Sequence, residues 1–124
     1  PINNNHLVYI QSGADDIEIA YNNFHDDAVG HCIQVHADEG GDLLYENIRI
    51  HNNYITSKHN PSDLRGSSLS LVKEGSTVYF YNNILDRVGH QAGYQIWGPG
   101  IAYVYNNTFY DMGVAAVSIM QGST

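Results

Sequence analysis

Ile50-His-Asn-Asn-Tyr-Ile55 is the stretch of sequence that decides the fold, because the same six-residue pattern returns along the 124-residue chain. The pattern reads apolar, any residue, Asn or Tyr, Asn, any residue, apolar. Its other copies are residues 19–24, 80–85 and 104–109. The second asparagine of the pattern recurs at intervals of 31, 30 and 24 residues. A period of this size is typical of solenoids, in which each repeat stacks on the next.

Apolar residues alternate with other residues at two places in every repeat, and this period-two alternation is typical of half-buried strands. One set directly precedes the Asn motifs and comprises Ile17-x-Ile19, Ile48-x-Ile50, Val78-x-Phe80 and Ala102-x-Val104. The other set comprises Val8-x-Ile10, Ile33-x-Val35, Leu69-x-Leu71, Tyr94-x-Ile96 and Val117-x-Ile119. Equivalent strands one full coil apart must lie parallel, about 4.8 Å from each other. The sequence therefore predicts an all-β solenoid of four to five coils.

The recurring asparagines, Asn22, Asn53, Asn83 and Asn107, are predicted to lie above one another at an inward bend. An inward amide at a bend can bond the backbone and the amides above and below it, which removes the cost of burying it alone. Asn also tolerates the left-handed backbone that a sharp bend needs. We therefore predict an asparagine ladder as the structural spine of the solenoid.

Composition excludes several classes of function. Five basic against thirteen acidic residues give a net charge of −8, which argues against nucleic acid as a partner. The same charge permits divalent cations and neutral or metal-bridged sugars. No apolar run approaches the roughly 20 residues of a membrane span. The single cysteine, Cys32, excludes an internal disulfide.

Two long connections interrupt the repeat, and both belong to the same coil. The first carries Asp38, Glu39 and Asp42, whose carboxylates and neighbouring carbonyls predict a Ca²⁺ site. The second carries Arg65, a candidate substrate-binding residue. Insertions in one coil of a solenoid often build its binding face. The alternative is that both are neutral surface insertions, which long loops tolerate at little cost.

Outward residues of the strands are predicted to form columns. On the strands before the Asn motifs, an exposed aromatic plate lies beside a Glu18–Arg49 pair and comprises Tyr79, Tyr81, Tyr103 and Tyr105. The plate predicts contact with sugar rings, or else cross-strand aromatic pairs that only stabilise the sheet. On the other strands the predicted outward column is Gln34, Ser70, Gln95 and Ser118. With His36, Lys73 and Trp97 at the strand ends, this column predicts a shallow polar cleft for a glycan.

The repeat of Asn motif, short Asp- and Gly-containing run and Gly/Ala-led alternation resembles the right-handed parallel β-helix superfamily. That superfamily includes pectate-lyase-like enzymes, alginate lyases, mannuronan epimerases and phage tailspikes. The resemblance covers about residues 8–120 and implies the fold. It leaves the activity open, because one solenoid carries many functions.

The run from Leu69 through Lys73 to Asn83 is similar to a segment of the alginate lyase and chondroitinase B family. That resemblance implies that Lys73 is a Brønsted base for the C5 proton of a uronic acid whose carboxylate a Ca²⁺ neutralises. One coil later, where the family has an arginine acid, this chain has Tyr94-Gln-Ile-Trp97.

Two functions follow as expectations. The first is an extracellular or cell-surface domain, spanning residues 1–124, that binds or processes a uronic-acid-containing polysaccharide as a lyase or epimerase does. The second is a non-catalytic structural or adhesive segment of a fibre, tailspike or surface protein. Because no cap is recognisable at either end, we also expect a fragment of a larger solenoid, whose partners are the rest of the parent β-helix or stacked copies.

Overall fold

The computed structural model describes residues 6–11, 13–25, 31–36, 44–56, 68–72, 74–88 and 92–120. All regular structure within these ranges is β-strand, and none of it is helical. No helix in the described part of the chain is long and apolar enough to cross a membrane. The strands form three separate parallel sheets.

Sheet 1 contains the predicted strands that come first in each repeat, before the strands that directly precede the Asn motifs. Its members, in spatial order, are β1 (Val8–Gln11), β4 (Ile33–His36), β7 (Ser68–Leu71), β10 (Tyr94–Trp97) and β13 (Val117–Met120). Sheet 2 contains the strands that precede the Asn motifs. Its members are β2 (Glu18–Ala20), β5 (Ile48–His51), β8 (Thr77–Tyr81) and β11 (Ile101–Tyr105). Both sets of strands were predicted from period-two alternation.

Sheet 3 was not predicted as a sheet. Its strands are β3 (Asn23–His25), β6 (Tyr54–Thr56), β9 (Ile84–Asp86) and β12 (Thr108–Tyr110). Each strand has only three residues, so it contains at most one inward apolar position and shows no alternation in the sequence. The last apolar residue of each Asn motif was the available signal, since Phe24, Ile55, Leu85 and Phe109 are the central residues of these strands.

Equivalent strands of successive described coils pair in parallel, which confirms the predicted β-solenoid as a parallel β-helix. The chain runs through sheets 1, 2 and 3 in turn and then returns to sheet 1. The inward residues of successive coils form one core, in which Ile33, Ile50, Leu85 and Tyr94 are fully buried.

The asparagine ladder is present at the bend between sheets 2 and 3. Asn53 Oδ1 accepts hydrogen bonds from the backbone N–H and the Nδ2 of Asn22, both at 3.1 Å. Asn83 Oδ1 accepts the same pair from Asn53, and Asn107 Oδ1 accepts the same pair from Asn83. Each Nδ2 also donates to a backbone carbonyl, such as Ile50 O for Asn83 at 2.9 Å. Asn53 and Asn83 can therefore be buried without losing a hydrogen bond.

The left-handed backbone of the bend belongs to the residue before each ladder asparagine. Tyr21, Asn52, Asn82 and Asn106 have φ values between 53° and 60°. The left-handed backbone and the ladder hydrogen bonds, both predicted for one asparagine, are thus divided between two positions. The first residue turns the chain and the second forms the ladder, which explains why the second position is always Asn while the first also accepts Tyr.

The register of β7 corrects one prediction. Ser70 was predicted to face outward, but it is fully buried and pairs with Val35 and Ile96. The physical reason is the buried hydroxyl of Tyr94, which needs a partner in the core and donates to Ser70 Oγ at 2.7 Å. A shift of one residue exchanges the two faces of a strand. In the backbone register it is position 69, and not Ser70, that pairs with Gln34 and Gln95.

Candidate functional site

A groove with a volume of about 360 Å³ lies on the outer side of sheet 1, over its last two strands. Its lining residues are Ala92, Gln95, Trp97, Val114, Ala115, Ser118 and Met120. Three of these were named from the sequence as parts of a glycan cleft, namely Gln95, Trp97 and Ser118. None of the lining side chains is ionisable, so the groove is neutral along its described walls.

Sheet pairing explains how these polar and aromatic groups meet. Gln95 pairs with Ser118, and Trp97 pairs with Met120, so the four residues form two adjacent rows. Gln95 is buried, whereas Trp97 is 37% exposed. The arrangement places an amide and a hydroxyl beside an accessible indole, which suits a ligand with both polar edges and apolar faces.

The turn after Trp97 fixes the end of the strand. Val72 N–H donates to Trp97 O at 2.6 Å, and Gly98 N–H donates to Met120 O at 3.2 Å. Gly98 has a φ of 99°, and a Cβ at this position would lie 2.5 Å from Val72 O. Only glycine fits this close approach, and the backbone that carries the indole is therefore held from both neighbouring coils.

His36 and Gln34 lie on the same sheet but two strands away from the groove. Gln34 occupies the row of Gln95, and His36 is the last residue of β4 as Trp97 is of β10. Two strand spacings separate them by roughly 10 Å. The His36 ring stacks on Tyr9, with the ring centroids 5.8 Å apart. These two residues therefore extend the outer face of sheet 1 and do not line the groove.

The predicted tyrosine columns exist on sheet 2. The Tyr79 and Tyr103 rings stack with centroids 5.0 Å apart, and the Tyr81 and Tyr105 rings stack at 4.9 Å. Nearly parallel rings at this distance are too close to lie side by side in one plane, so their faces point at each other in offset stacks. The columns therefore present mainly ring edges and hydroxyls to solvent, which favours sheet stabilisation over a flat platform for sugars.

Glu18 and Arg49 are cross-strand neighbours, as predicted, but the hydrogen-bond partner of Glu18 is His51. Glu18 Oε1 lies 2.7 Å from His51 Nε2, while Arg49 donates to Asn47 O at 3.5 Å. The hydrogen bond from His51 lowers the pKa of Glu18, and the charge of nearby Arg49 adds to this effect. The other ring nitrogen of His51 lies 2.7 Å from Asn52 Oδ1. With both nitrogens engaged and its ring stacked on Tyr81, His51 continues the aromatic column.

Sheet 3 carries a polar cluster that sequence reasoning missed. Asp86 binds the Arg87 guanidinium through both oxygens, at 2.9 and 3.1 Å, and accepts a hydrogen bond from Tyr54 Oη at 2.5 Å. The bond to Asp86 raises the pKa of Tyr54 and of Arg87. Tyr54 and Asp86 lie on adjacent strands of sheet 3, in diagonal positions. This neighbourhood could have been predicted only if the three-residue strands had been recognised in the sequence.

The remaining predicted site residues lie outside the described residues. They are Lys73, Arg65 and the candidate Ca²⁺ ligands Asp38, Glu39 and Asp42. Among the described residues, no three His, Cys, Asp or Glu side chains are grouped so that they could hold a metal ion. The catalytic and metal-binding hypotheses stay predictions.

No protein-family model matches the chain, and comparisons with curated proteins and with solved structures give no match either.

Proposed function

We propose that this chain is a polysaccharide-binding β-helix segment of an extracellular or cell-surface protein, and that the groove at Trp97 holds a sugar unit. The observation that carries this proposal is the meeting of Trp97, Gln95 and Ser118 in one groove on the outer face of sheet 1. An exposed indole provides an apolar face, and the amide and hydroxyl provide hydrogen bonds to sugar hydroxyls. The parallel rows of the sheet let a linear polymer continue along the coils.

The proposal is tested by titrating the protein with a panel of neutral and anionic polysaccharides while the fluorescence of Trp97, its single tryptophan, is recorded. Binding at the groove changes the emission, and Trp97→Ala weakens affinity by about tenfold or more when binding is followed by calorimetry. Tyr110→Ala is the matched control, because Tyr110 is an exposed aromatic residue on sheet 3. Equal affinity of the Trp97→Ala variant and the unmodified protein would reject the groove as the site.

If the chain is catalytic, we propose that it acts on a uronic-acid polysaccharide as a lyase or an epimerase. This proposal rests on the resemblance around Lys73 and on Ca²⁺ held by Asp38, Glu39 and Asp42. Val72, the residue before Lys73 in the sequence, donates its backbone N–H to Trp97 O. The test is ultraviolet absorbance of an unsaturated product from alginate, pectate or glycosaminoglycans, with and without Ca²⁺. No product from any of them, together with unchanged sugar configuration by NMR, would reject both lyase and epimerase activity.

A non-catalytic structural or adhesive role is the second candidate. It is favoured by the unbroken asparagine ladder and by the column of stacked rings from His51 through Tyr81 to Tyr105. Such regular stacks stabilise a sheet without any ligand. In this case no polysaccharide of the panel binds, and Trp97→Ala changes neither stability nor association.

A further inference from the structure

Two pairs of tyrosine rings lie against each other on the outer face of sheet 2. Tyr79 pairs with Tyr103, and Tyr81 pairs with Tyr105, in the parallel register of β8 and β11. The ring planes differ by 12° in the first pair and by 4° in the second, with centroids 5.0 and 4.9 Å apart. These separations are close to the strand spacing of about 4.8 Å, so both side chains of a pair extend in the same direction. Corresponding ring carbons of the two tyrosine stacks are therefore direct neighbours.

The rings of the two stacks are accessible to solvent and lie outside the core. Tyr103 and Tyr105 are 47% and 46% exposed, while Tyr79 and Tyr81 are half-buried. The inward residue between the last two, Phe80, is fully buried. A small oxidant can therefore reach the hydroxyls, and the rings can rotate towards each other without disturbing the packed interior.

Exposure alone does not distinguish these tyrosines, but proximity does. Tyr21 and Tyr110 are more exposed, at 80% and 64%. Among the described residues no other tyrosine ring stacks on either of them, and Tyr21 meets the His51 ring edge-on. Two groups held together on one chain react as though their concentration were raised by orders of magnitude. A reaction that joins two phenols is therefore favoured at the stacks and not at the most exposed rings.

We propose that each of the two tyrosine stacks is a site of oxidative modification, at which a peroxidase that uses hydrogen peroxide joins the two rings as dityrosine. The oxidant removes the hydroxyl hydrogen atom from both phenols, and the two phenoxyl radicals form one carbon–carbon bond between ring carbons ortho to the oxygens. The hydrogens on those two carbons leave as protons, and both oxygens regain a proton. Each bridge thus removes two hydrogens from the chain, while one hydrogen peroxide is reduced to two molecules of water.

Each bridge would fasten β8 to β11 and so link two successive coils. In both stacks the joined residues are 24 positions apart in the sequence. A cross-link of this kind restricts the unfolded chain, as a disulfide does, and leaves the core of the folded chain unchanged. The bridged chain is therefore expected to unfold at a higher urea concentration than the unbridged chain.

The test treats the protein with hydrogen peroxide and a haem peroxidase and follows the blue fluorescence of dityrosine. One variant, Tyr79→Phe with Tyr103→Phe, keeps the second stack intact. The matched control, Tyr79→Phe with Tyr105→Phe, keeps the same number of tyrosines but leaves only a diagonal pair, roughly 7–8 Å apart. Phenylalanine preserves the stacked rings in both variants, so the fold is retained.

We expect the first variant to form one bridge within the monomer and the control to form about tenfold less dityrosine, because its two phenols are not adjacent. Mass spectrometry should find the unmodified protein lighter by four hydrogens and the first variant lighter by two. Tandem spectra of the digested product should join a peptide that contains Tyr81 to one that contains Tyr105.

Two outcomes would overturn the proposal. Equal dityrosine formation in the two double variants would show that strand register does not select the reacting rings. Bridges found only between separate chains, or formed through Tyr21 or Tyr110, would show that exposure selects them instead. Both outcomes are independent of whether a polysaccharide binds at Trp97.

Discussion

Replacing Asn83 by Ala is expected to cost the fold about 4 kcal/mol of unfolding free energy. The Asn83 side chain makes four hydrogen bonds, two accepted by Oδ1 and two donated by Nδ2, at 2.9 to 3.1 Å. A hydrogen bond contributes about 1 kcal/mol net, and an unsatisfied buried partner costs about 1–3 kcal/mol. The residue is completely buried, so water cannot replace the lost partners at Asn53 and Ile50.

Asn22→Ala provides the matched control for Asn83→Ala. The Asn22 side chain makes two hydrogen bonds, and the residue is exposed at the other end of the ladder. Water can replace its partners, so we expect a loss of about 1 kcal/mol or less. Urea unfolding of both variants, followed by Trp97 fluorescence, measures the difference. If the two substitutions cost the same, the ladder is not a buried hydrogen-bonded spine and the reasoning is wrong.

Three further predictions concern individual contacts. Tyr94→Phe and Ser70→Ala each cost about 1 kcal/mol in urea unfolding, but together they cost less than their sum, because both break one buried bond; additive losses would refute the assigned register. Cys32 does not react with a thiol reagent in the native protein at neutral pH but reacts after unfolding, because burial raises the pKa of its thiol to about 12. The bond from His51 lowers the pKa of Glu18, so the stability it adds is present above about pH 4.5 and is lost as pH falls through the lower native pKa. The gap in unfolding midpoint between the unmodified protein and Glu18→Gln therefore closes on acidification, and a constant gap would contradict this assignment.

Much of the fold followed from the sequence because the repeat constrains it. Two of the three sheets showed period-two alternation, and the ladder showed a fixed residue type at a fixed place. The strands of sheet 3 are too short to alternate, so no periodic signal could reveal them. The register of β7 was also hidden, because Leu69-x-Leu71 is the more apolar face. Ser70 faces inward because it accepts a hydrogen bond from the buried Tyr94 hydroxyl of the next coil. A contact between coils cannot be recognised from the sequence of one strand.

Part of the candidate site could be predicted because the repeat also fixes which residues lie next to each other on sheet 1. Column positions of Gln95, Trp97 and Ser118 follow from the repeat, so their meeting on sheet 1 was predictable. The walls formed by Val114 and Ala115 come from the connection before β13, where the sequence has no periodic pattern. The repeat places Arg49 and His51 both next to Glu18 on the neighbouring strand. Which of the two side chains bonds to Glu18 depends on side-chain conformation, which the repeat does not specify.

The most direct test of the ladder and of the solenoid is an NMR experiment that detects scalar coupling across hydrogen bonds. We expect cross peaks from the backbone N–H of Asn22, Asn53 and Asn83 to the side-chain carbonyl carbon of the ladder asparagine one coil further on. Those partners are Asn53, Asn83 and Asn107 respectively. Coupling of these amides to backbone carbonyls instead, or rapid exchange of the Asn53 and Asn83 amides with solvent, would contradict the stacking of the coils.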